Sequence, residues 1–72
     1  MSTHVEAQIA GTVWKIEKAA GDPLLEEDVI LILESMKMEI PVEAPADGTV
    51  AEVCVALEDQ VEEDQLLAVV EA

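Results

Sequence analysis

Short runs of β-branched and aliphatic residues recur along the chain, and acidic segments separate them. The apolar runs are TVWKI at 12–16, VILIL at 29–33, TVAEVCV at 49–55 and QLLAVV at 65–70. DPLLEED at 22–28 and EDQVEED at 58–64 lie between them. Runs of this length, bounded by turn residues and without a stronger helical period, are typical of strands. The pattern predicts an all-β domain.

The predicted strands lie near residues 4–9, 11–18, 29–34, 38–43, 48–55 and 66–71, with short extra pairings near residues 24 and 61. Pro23, Pro41 and Pro45 would break a helix interior or remove a hydrogen bond from a central strand. We therefore expect these prolines at turns or sheet edges.

The chain contains an internal repeat with an offset of 37 residues. Gly11-Thr12-Val13 aligns with Gly48-Thr49-Val50, and the alignment continues to Glu34 and Glu71. The copies span approximately 11–35 and 48–72 within a single domain of residues 1–72. Such a repeat predicts pseudo-two-fold symmetry. Residues 36–47 connect the copies, and the symmetry predicts that Lys37 lies at a tip, far from both termini.

The net charge limits the classes of partner. Seventeen acidic and three basic residues give a formal charge of -14, which repels phosphate backbones and anionic lipids. We expect no nucleic-acid or membrane partner. A partner that presents a positively charged surface would be favoured. No apolar run approaches the ~20 residues that span a bilayer, and no export signal begins the chain, so we expect a cytoplasmic protein. A start at Met1 without a linker favours a complete small protein over an excised domain.

Few side chains suit catalysis or metal binding. Cys54 is the single cysteine, so it forms no intramolecular disulfide, and we expect it to be half-buried in a strand. His4 belongs to no set with metal-ligand spacing, and Ser2 and Ser35 have only this histidine as a base. The sequence therefore predicts no metal site and no catalytic residue.

The segment ESMKM at 34–38 follows the apolar run VILIL and contains one of the three lysines, Lys37. Methionine is usually a core filler, but Ser35 and Lys37 alternate with Met36 and Met38, so we expect the methionines to be at least partly exposed. An amine on a protruding turn can be acylated to a stable amide by an enzyme that reaches around the turn. An ordinary solvated lysine is the alternative interpretation.

The segment ESMKME at 34–39, followed by Ala44-Pro45 and Gly48-Thr49-Val50, resembles the biotinyl domain of biotin-dependent carboxylases. Within that family the chain is similar to the short free-standing biotin/lipoyl attachment proteins, from about His4 to Val70. The resemblance implies a flattened antiparallel β-barrel or sandwich of two four-stranded sheets with pseudo-two-fold symmetry. We expect this domain to be a monomer by itself.

The same resemblance implies that Lys37 receives biotin through its ε-amine and that Met36 and Met38 are the flanking methionines. Glu34 matches the acidic residue that helps to position the motif for biotin protein ligase. A biotin carboxylase would then carboxylate the attached biotin, and a carboxyltransferase would transfer the carboxyl group to an acceptor that this chain does not specify. The chain itself would be a non-catalytic biotin carboxyl carrier.

Two alternatives stay open. A lipoyl carrier has the same architecture, although its lysine usually follows an aspartate and precedes an alanine. An unmodified acidic β-module that binds a protein partner would leave Lys37 with a free amine.

The chain departs from the family in its turns. Many relatives have glycine where this chain has Glu27, Glu58 and Asp64. Because a non-glycine residue with positive φ is strained, and Asp is the least strained of these, we expect reshaped or less stable turns. The segment from Lys18 to Leu24 is too short for the thumb insertion of some bacterial acetyl-CoA carboxylase carriers.

Overall fold

The computed structural model describes residues 2–72, which form eight strands and no helix. The strands are β1 (Ser2–Glu6), β2 (Gly11–Ile16), β3 (Pro23–Leu24), β4 (Val29–Ser35), β5 (Met38–Glu43), β6 (Gly48–Val53), β7 (Gln60–Val61) and β8 (Leu66–Glu71). This described part of the chain therefore contains no helix long and apolar enough to cross a membrane. The short pairings predicted near residues 24 and 61 are confirmed as β3 and β7.

The strands form two four-stranded sheets. Sheet A has the order β1-β8-β6-β3, and sheet B has the order β5-β4-β2-β7. Every pairing within the two sheets is antiparallel. The predicted all-β architecture is confirmed.

The core between the sheets consists of aliphatic side chains, and the described residues include no buried polar or charged one. The largest fully buried side chains are Val13, Ile30, Leu31, Leu33, Val50 and Leu67. Fully burying one aliphatic side chain of this size stabilises the fold by about 1.5–3 kcal/mol. Because a slip of one residue would turn a strand's buried side chains towards solvent, this core also fixes the register of the strands.

The offset of 37 residues relates the two halves strand by strand. It takes the bounds of β2 to those of β6 and the bounds of β3 to those of β7. Because β4 and β2 are in sheet B while β8 and β6 are in sheet A, the relation exchanges the two sheets. The offset also relates β1 to β5, where 5–7 and 42–44 both read VEA, so residues 39–47 have counterparts ahead of Gly11.

Backbone hydrogen bonds connect each half to the other. The Gly21 N–H donates to the Val50 carbonyl (2.7 Å), and at the equivalent place the Glu58 N–H donates to the Val13 carbonyl (2.8 Å). Asp22 holds the turn before β3 by accepting the Ala19 N–H at Oδ2 (2.9 Å). The turns of one half are thus bonded to the strands of the other.

The turns without glycine keep a left-handed backbone. Glu58 has φ 71° at the position equivalent to Gly21, which has φ 94°. Glu27 and Asp64 are equivalent to each other and have φ 74° and 70°. These turns are therefore not reshaped, and three acidic residues occupy a backbone region that disfavours them, Asp least.

Several predicted strands end early. The first strand ends at Glu6 rather than at residue 9, because Ala7 instead donates its N–H to Gln65 and accepts one from Asp64 in the turn before β8. β2 ends at Ile16 rather than at residue 18, since the Glu17 and Lys18 N–H groups both donate to the Ile30 carbonyl.

Candidate functional site

Lys37 lies in the two-residue turn of the β4–β5 hairpin. Ser35 pairs with Met38 and closes the turn around Met36 and Lys37. These two residues have φ 53° and 65°, and positive φ at both central positions is what a type I′ hairpin turn requires. Asn-Gly is the preferred pair for such a turn, so Met-Lys holds a strained conformation. Strain of this kind concentrates at functional sites.

The three side chains of the turn are open to solvent. Met36 is 89% exposed and Met38 is 60% exposed, which confirms the predicted exposure of both methionines. Lys37 is exposed and forms no ion pair with any residue of the described chain, whereas Lys15 Nζ lies 3.8 Å from Glu17 Oε1. The Lys37 amine is therefore accessible for acylation.

Two carboxylates flank the turn on paired positions of the hairpin. Glu34 lies directly opposite Glu39, and both residues belong to the segment ESMKME at 34–39. Like charges at directly opposed positions destabilise a sheet. The equivalent positions in sheet A hold Glu71 and Ser2, and the Ser2 hydroxyl donates to Glu71 Oε1 (2.7 Å), which lowers the pKa of that carboxyl group. The opposed carboxylates are thus a feature of the hairpin and not of the fold.

Gly11 allows β2 to lie close against the end of β4. A Cβ atom at this position would stand 2.6 Å from the Glu34 carbonyl oxygen, closer than real Cβ contacts. Beside this contact an open groove of about 660 Å³ runs along the turn and is lined in part by Ser35, Met36 and Gln60. In the sequence Gly11 stands out only through the repeat, whereas in the structure it lies against the end of the strand that leads into the turn.

The remaining candidates lie outside this site. Cys54 is exposed, so the prediction of a half-buried side chain is wrong, because β6 ends one residue before it. Partial desolvation and the Glu52 carboxylate, whose Oε1 lies 3.6 Å from Sγ, raise the pKa of the Cys54 thiol. Within residues 2–72, no group of three or more His, Cys, Asp or Glu side chains is arranged to hold a metal ion.

The arrangement offers an exposed primary amine on a strained hairpin turn. Such an amine can form an amide with an activated carboxylic acid, and the neighbouring turn residues leave room for a second protein to approach. Biotin and lipoate both have a carboxyl group that can be joined in this way. Among the described residues, none forms an ion pair with Lys37 that would hinder the attachment of either cofactor.

Comparison with known proteins identifies one family that matches nearly the whole chain. Residues 1–70 match the family described as "Biotin-requiring enzyme". The chain is 40% identical over 70 residues to the biotinylated protein TB7.3 homolog of Mycobacterium leprae, and the match covers 97% of this chain and 99% of that protein.

Two solved structures have the same architecture. The urea carboxylase of Kluyveromyces lactis matches with a TM-score of 0.94 and 31% identity, over 99% of this chain but 6% of that one. The lipoyl domain of the 2-oxoglutarate dehydrogenase complex from Azotobacter vinelandii matches with a TM-score of 0.75 and 30% identity, over 88% of this chain and 80% of that one.

Proposed function

The chain belongs to the family of biotin- and lipoyl-attachment domains, whose members are carriers and not catalysts, and we propose that it is a biotin carboxyl carrier with Lys37 as its attachment site. The observation that supports this proposal is the position of Lys37 at an exposed, strained two-residue turn. The similarity to a biotinylated protein over nearly its whole length supports it further.

Three enzymes would act on the carrier. A biotin protein ligase joins the biotin carboxyl group to the α-phosphate of ATP with release of pyrophosphate, and Lys37 Nζ then displaces AMP, forming an amide as the amine loses a proton. A biotin carboxylase and a carboxyltransferase then load and unload the carrier. The attached biotin supplies a ring nitrogen that holds a carboxyl group, and the reactive chemistry belongs to this cofactor and to the enzymes.

The protein's own residues hold and present the arm. The β4–β5 hairpin fixes the direction in which Lys37 projects, and tethering raises the local concentration of the arm at a partner's active site to the order of millimolar. Met36 and Met38 offer flexible apolar contacts that suit more than one partner. Glu34 helps to position the turn for the ligase. We place the carrier in the cytoplasm as a monomer by itself.

A lipoyl carrier is the second candidate, because the chain also resembles a lipoyl domain. The residues next to Lys37 favour biotin. Lipoyl domains usually have aspartate before the lysine and alanine after it, whereas this chain has Met36 and Met38. The 40% identity to a biotinylated protein supports the same choice.

The test is the intact mass of the purified protein after incubation with biotin protein ligase, ATP and biotin. We expect the mass to rise by one biotinyl group, and we expect no rise for Lys37→Arg, which keeps the charge and leaves Lys15 and Lys18 in place. Unchanged circular dichroism and thermal midpoint would show that Lys37→Arg is folded.

No rise in mass with a ligase that labels a known carrier would contradict the proposal, as would labelling of Lys37→Arg. In the first case the same assay with lipoate and a lipoate ligase tests the second candidate.

A further inference from the structure

The internal repeat provides a comparison within the molecule, because the two sheets have equivalent strand order and register. Trp14, the chain's one aromatic residue, lies at a bulge of β2 and is 48% exposed. The equivalent bulge of β6 in sheet A has Ala51. The bulge itself therefore does not require a large side chain.

The residues around Trp14 also differ from those at the equivalent positions of sheet A. The next row of sheet B, across β2, β4 and β5, contains Lys15, Ile32 and Pro41. The row towards the turn contains Glu34 opposite Glu39. These rows face outward, because the row between them, with Val13 and Leu33, is buried in the core.

We name this surface the Trp14 face, and it comprises Trp14, Ile32, Pro41, Glu34 and Glu39, beside Lys15, whose amine is paired with Glu17. At the equivalent positions sheet A has Ala51, Val69, His4, Glu71 and Ser2.

Folding does not explain this composition. The Trp14 indole leaves 48% of its surface in solvent, and tryptophan is enriched among the residues that dominate protein–protein binding. Glu34 and Glu39 repel each other where sheet A has the hydrogen bond from Ser2 to Glu71. Neither carboxylate lies within 4.0 Å of a cationic nitrogen in the described chain. Sheet B thus has a repelling pair and an exposed indole where sheet A has neither.

We propose that the Trp14 face is a docking surface for a protein partner that presents an arginine side chain to Glu34 and Glu39 and an apolar rim to Trp14. A guanidinium group matches carboxylates with a fork of donors and also packs against aromatic rings. Its charge offsets the repulsion between the two glutamates. A second copy of this chain is disfavoured as the occupant, because each copy has a net charge of -14 and would bring the same carboxylates.

The inference rests on the proposed function in one respect. The Trp14 face adjoins the turn that holds Lys37, so enzymes that visit the arm are the partners expected to use it. The probes are accordingly purified biotin protein ligase and purified biotin carboxylase, each added unlabelled to the ¹⁵N-labelled full chain.

Nuclear magnetic resonance reads the surface directly, since the single tryptophan gives a single indole N–H signal. With at least one probe we expect the Trp14 indole signal and the Glu34 and Glu39 amide signals to shift or broaden. The amide signals of Ala51 and Glu71 should stay unchanged.

Two substitutions replace residues of the Trp14 face with those at the equivalent positions of sheet A, and they test how much each side chain contributes to the binding affinity. Trp14→Ala and Glu39→Ser should each weaken binding of that probe at least tenfold, which is about 1.4 kcal/mol. His4→Ala, on the outer face of sheet A, is the matched control and should leave the affinity unchanged. Glu39→Gln separates charge from shape and should weaken binding about as much as Glu39→Ser.

Several results would overturn the docking surface: signals that move only at the turn or on sheet A, unchanged affinity of Trp14→Ala, no binding of either probe, or shifts that depend on the concentration of the chain alone. Intact mass separates this failure from failure of the carrier. If the chain is biotinylated on Lys37 but neither probe shifts the Trp14 signal, the proposed function stands and the docking surface is excluded.

Discussion

At the scale of single residues, the turn that presents Lys37 is built against local preference. Met36 and Lys37 both have positive φ, and they lie between β4 and β5, in the link that joins the two halves. A left-handed conformation costs a residue with a side chain about 1–2 kcal/mol. The strain therefore belongs to the site and not to the architecture that the two halves share.

We expect Met36→Asn combined with Lys37→Gly to stabilise the protein by about 1 kcal/mol while it removes the attachment site. The reason is that Asn-Gly adopts a type I′ turn with little strain, although the extra freedom of glycine in the unfolded chain offsets part of the gain. Urea unfolding at equilibrium measures the change. A lower free energy of unfolding for the double variant would show that the turn is not strained.

Gly21→Ala measures the cost of a left-handed conformation elsewhere in the same protein and serves as a reference for this prediction. Gly21 has φ 94°, and a Cβ atom there would meet no atom within 4 Å, so the substitution introduces left-handed strain without a clash. It should destabilise the protein by about 1 kcal/mol.

The site residues differ in how far the sequence reveals them. Lys37, Met36 and Met38 could be placed at an exposed turn because lysine is scarce in this chain and the strand before them is wholly apolar. Glu39 and Gly11 could not be recognised in the same way. Their roles depend on which residue lies directly across a strand pair, and that follows only once the two-residue turn has fixed the register.

At the scale of the strands, the contact between β2 and the end of β4 supports the hairpin. Gly11 leaves no room for a Cβ atom beside the Glu34 carbonyl, and Gly48 leaves none beside the Glu71 carbonyl at the equivalent place in sheet A. The two contacts are alike, but only the first lies next to Lys37.

Gly11→Ala and Gly48→Ala should each destabilise the fold by about 1–3 kcal/mol, because each forces a strand away from its neighbour. Only Gly11→Ala should also lower kcat/KM for biotinylation by biotin protein ligase, since it displaces the end of β4 that leads into the turn. Urea unfolding and the ligase assay, run below the unfolding range of both variants, measure the two effects. Equal ligase kinetics for the two variants would exclude a positioning role for Gly11.

The strands themselves were largely predictable from the sequence, and their ends were not. The apolar runs and the repeat indicate β2, β4, β6 and β8, because their side chains must fill one core. The early end of β1 depends on the Ala7 N–H donating to Gln65, a residue far along the chain. Alternation of apolar and polar residues contains no information about such a partner.

At the scale of the whole molecule, the charge opposes the compact state. The Cα atoms span 33 × 17 × 17 Å, and the chain has 17 acidic side chains and a net charge of -14. Most of these carboxylates therefore lie within about one Debye length of one another at low salt, where that length is about 30 Å at about 0.01 M. Their repulsion destabilises the folded state relative to the expanded chain.

We expect the thermal midpoint at pH 7 to rise by several degrees between about 0.01 M and about 0.5 M sodium chloride, because salt screens this repulsion. Glu62→Gln combined with Glu63→Gln removes two exposed turn charges and should show a higher midpoint at low salt and a smaller rise. Differential scanning calorimetry measures both. A midpoint that stays constant or falls with added salt would mean that the charges are not a net source of instability.

The exchange of strands between the sheets has a consequence for the origin of the fold. Each sheet takes two strands from residues 2–35 and two from residues 38–71, so neither half could close a sandwich from its own strands. A peptide of one half would find the missing strands only in another peptide like itself. This is the arrangement that duplication and fusion of a half-domain would produce, with the turn at Lys37 as the link between the two copies.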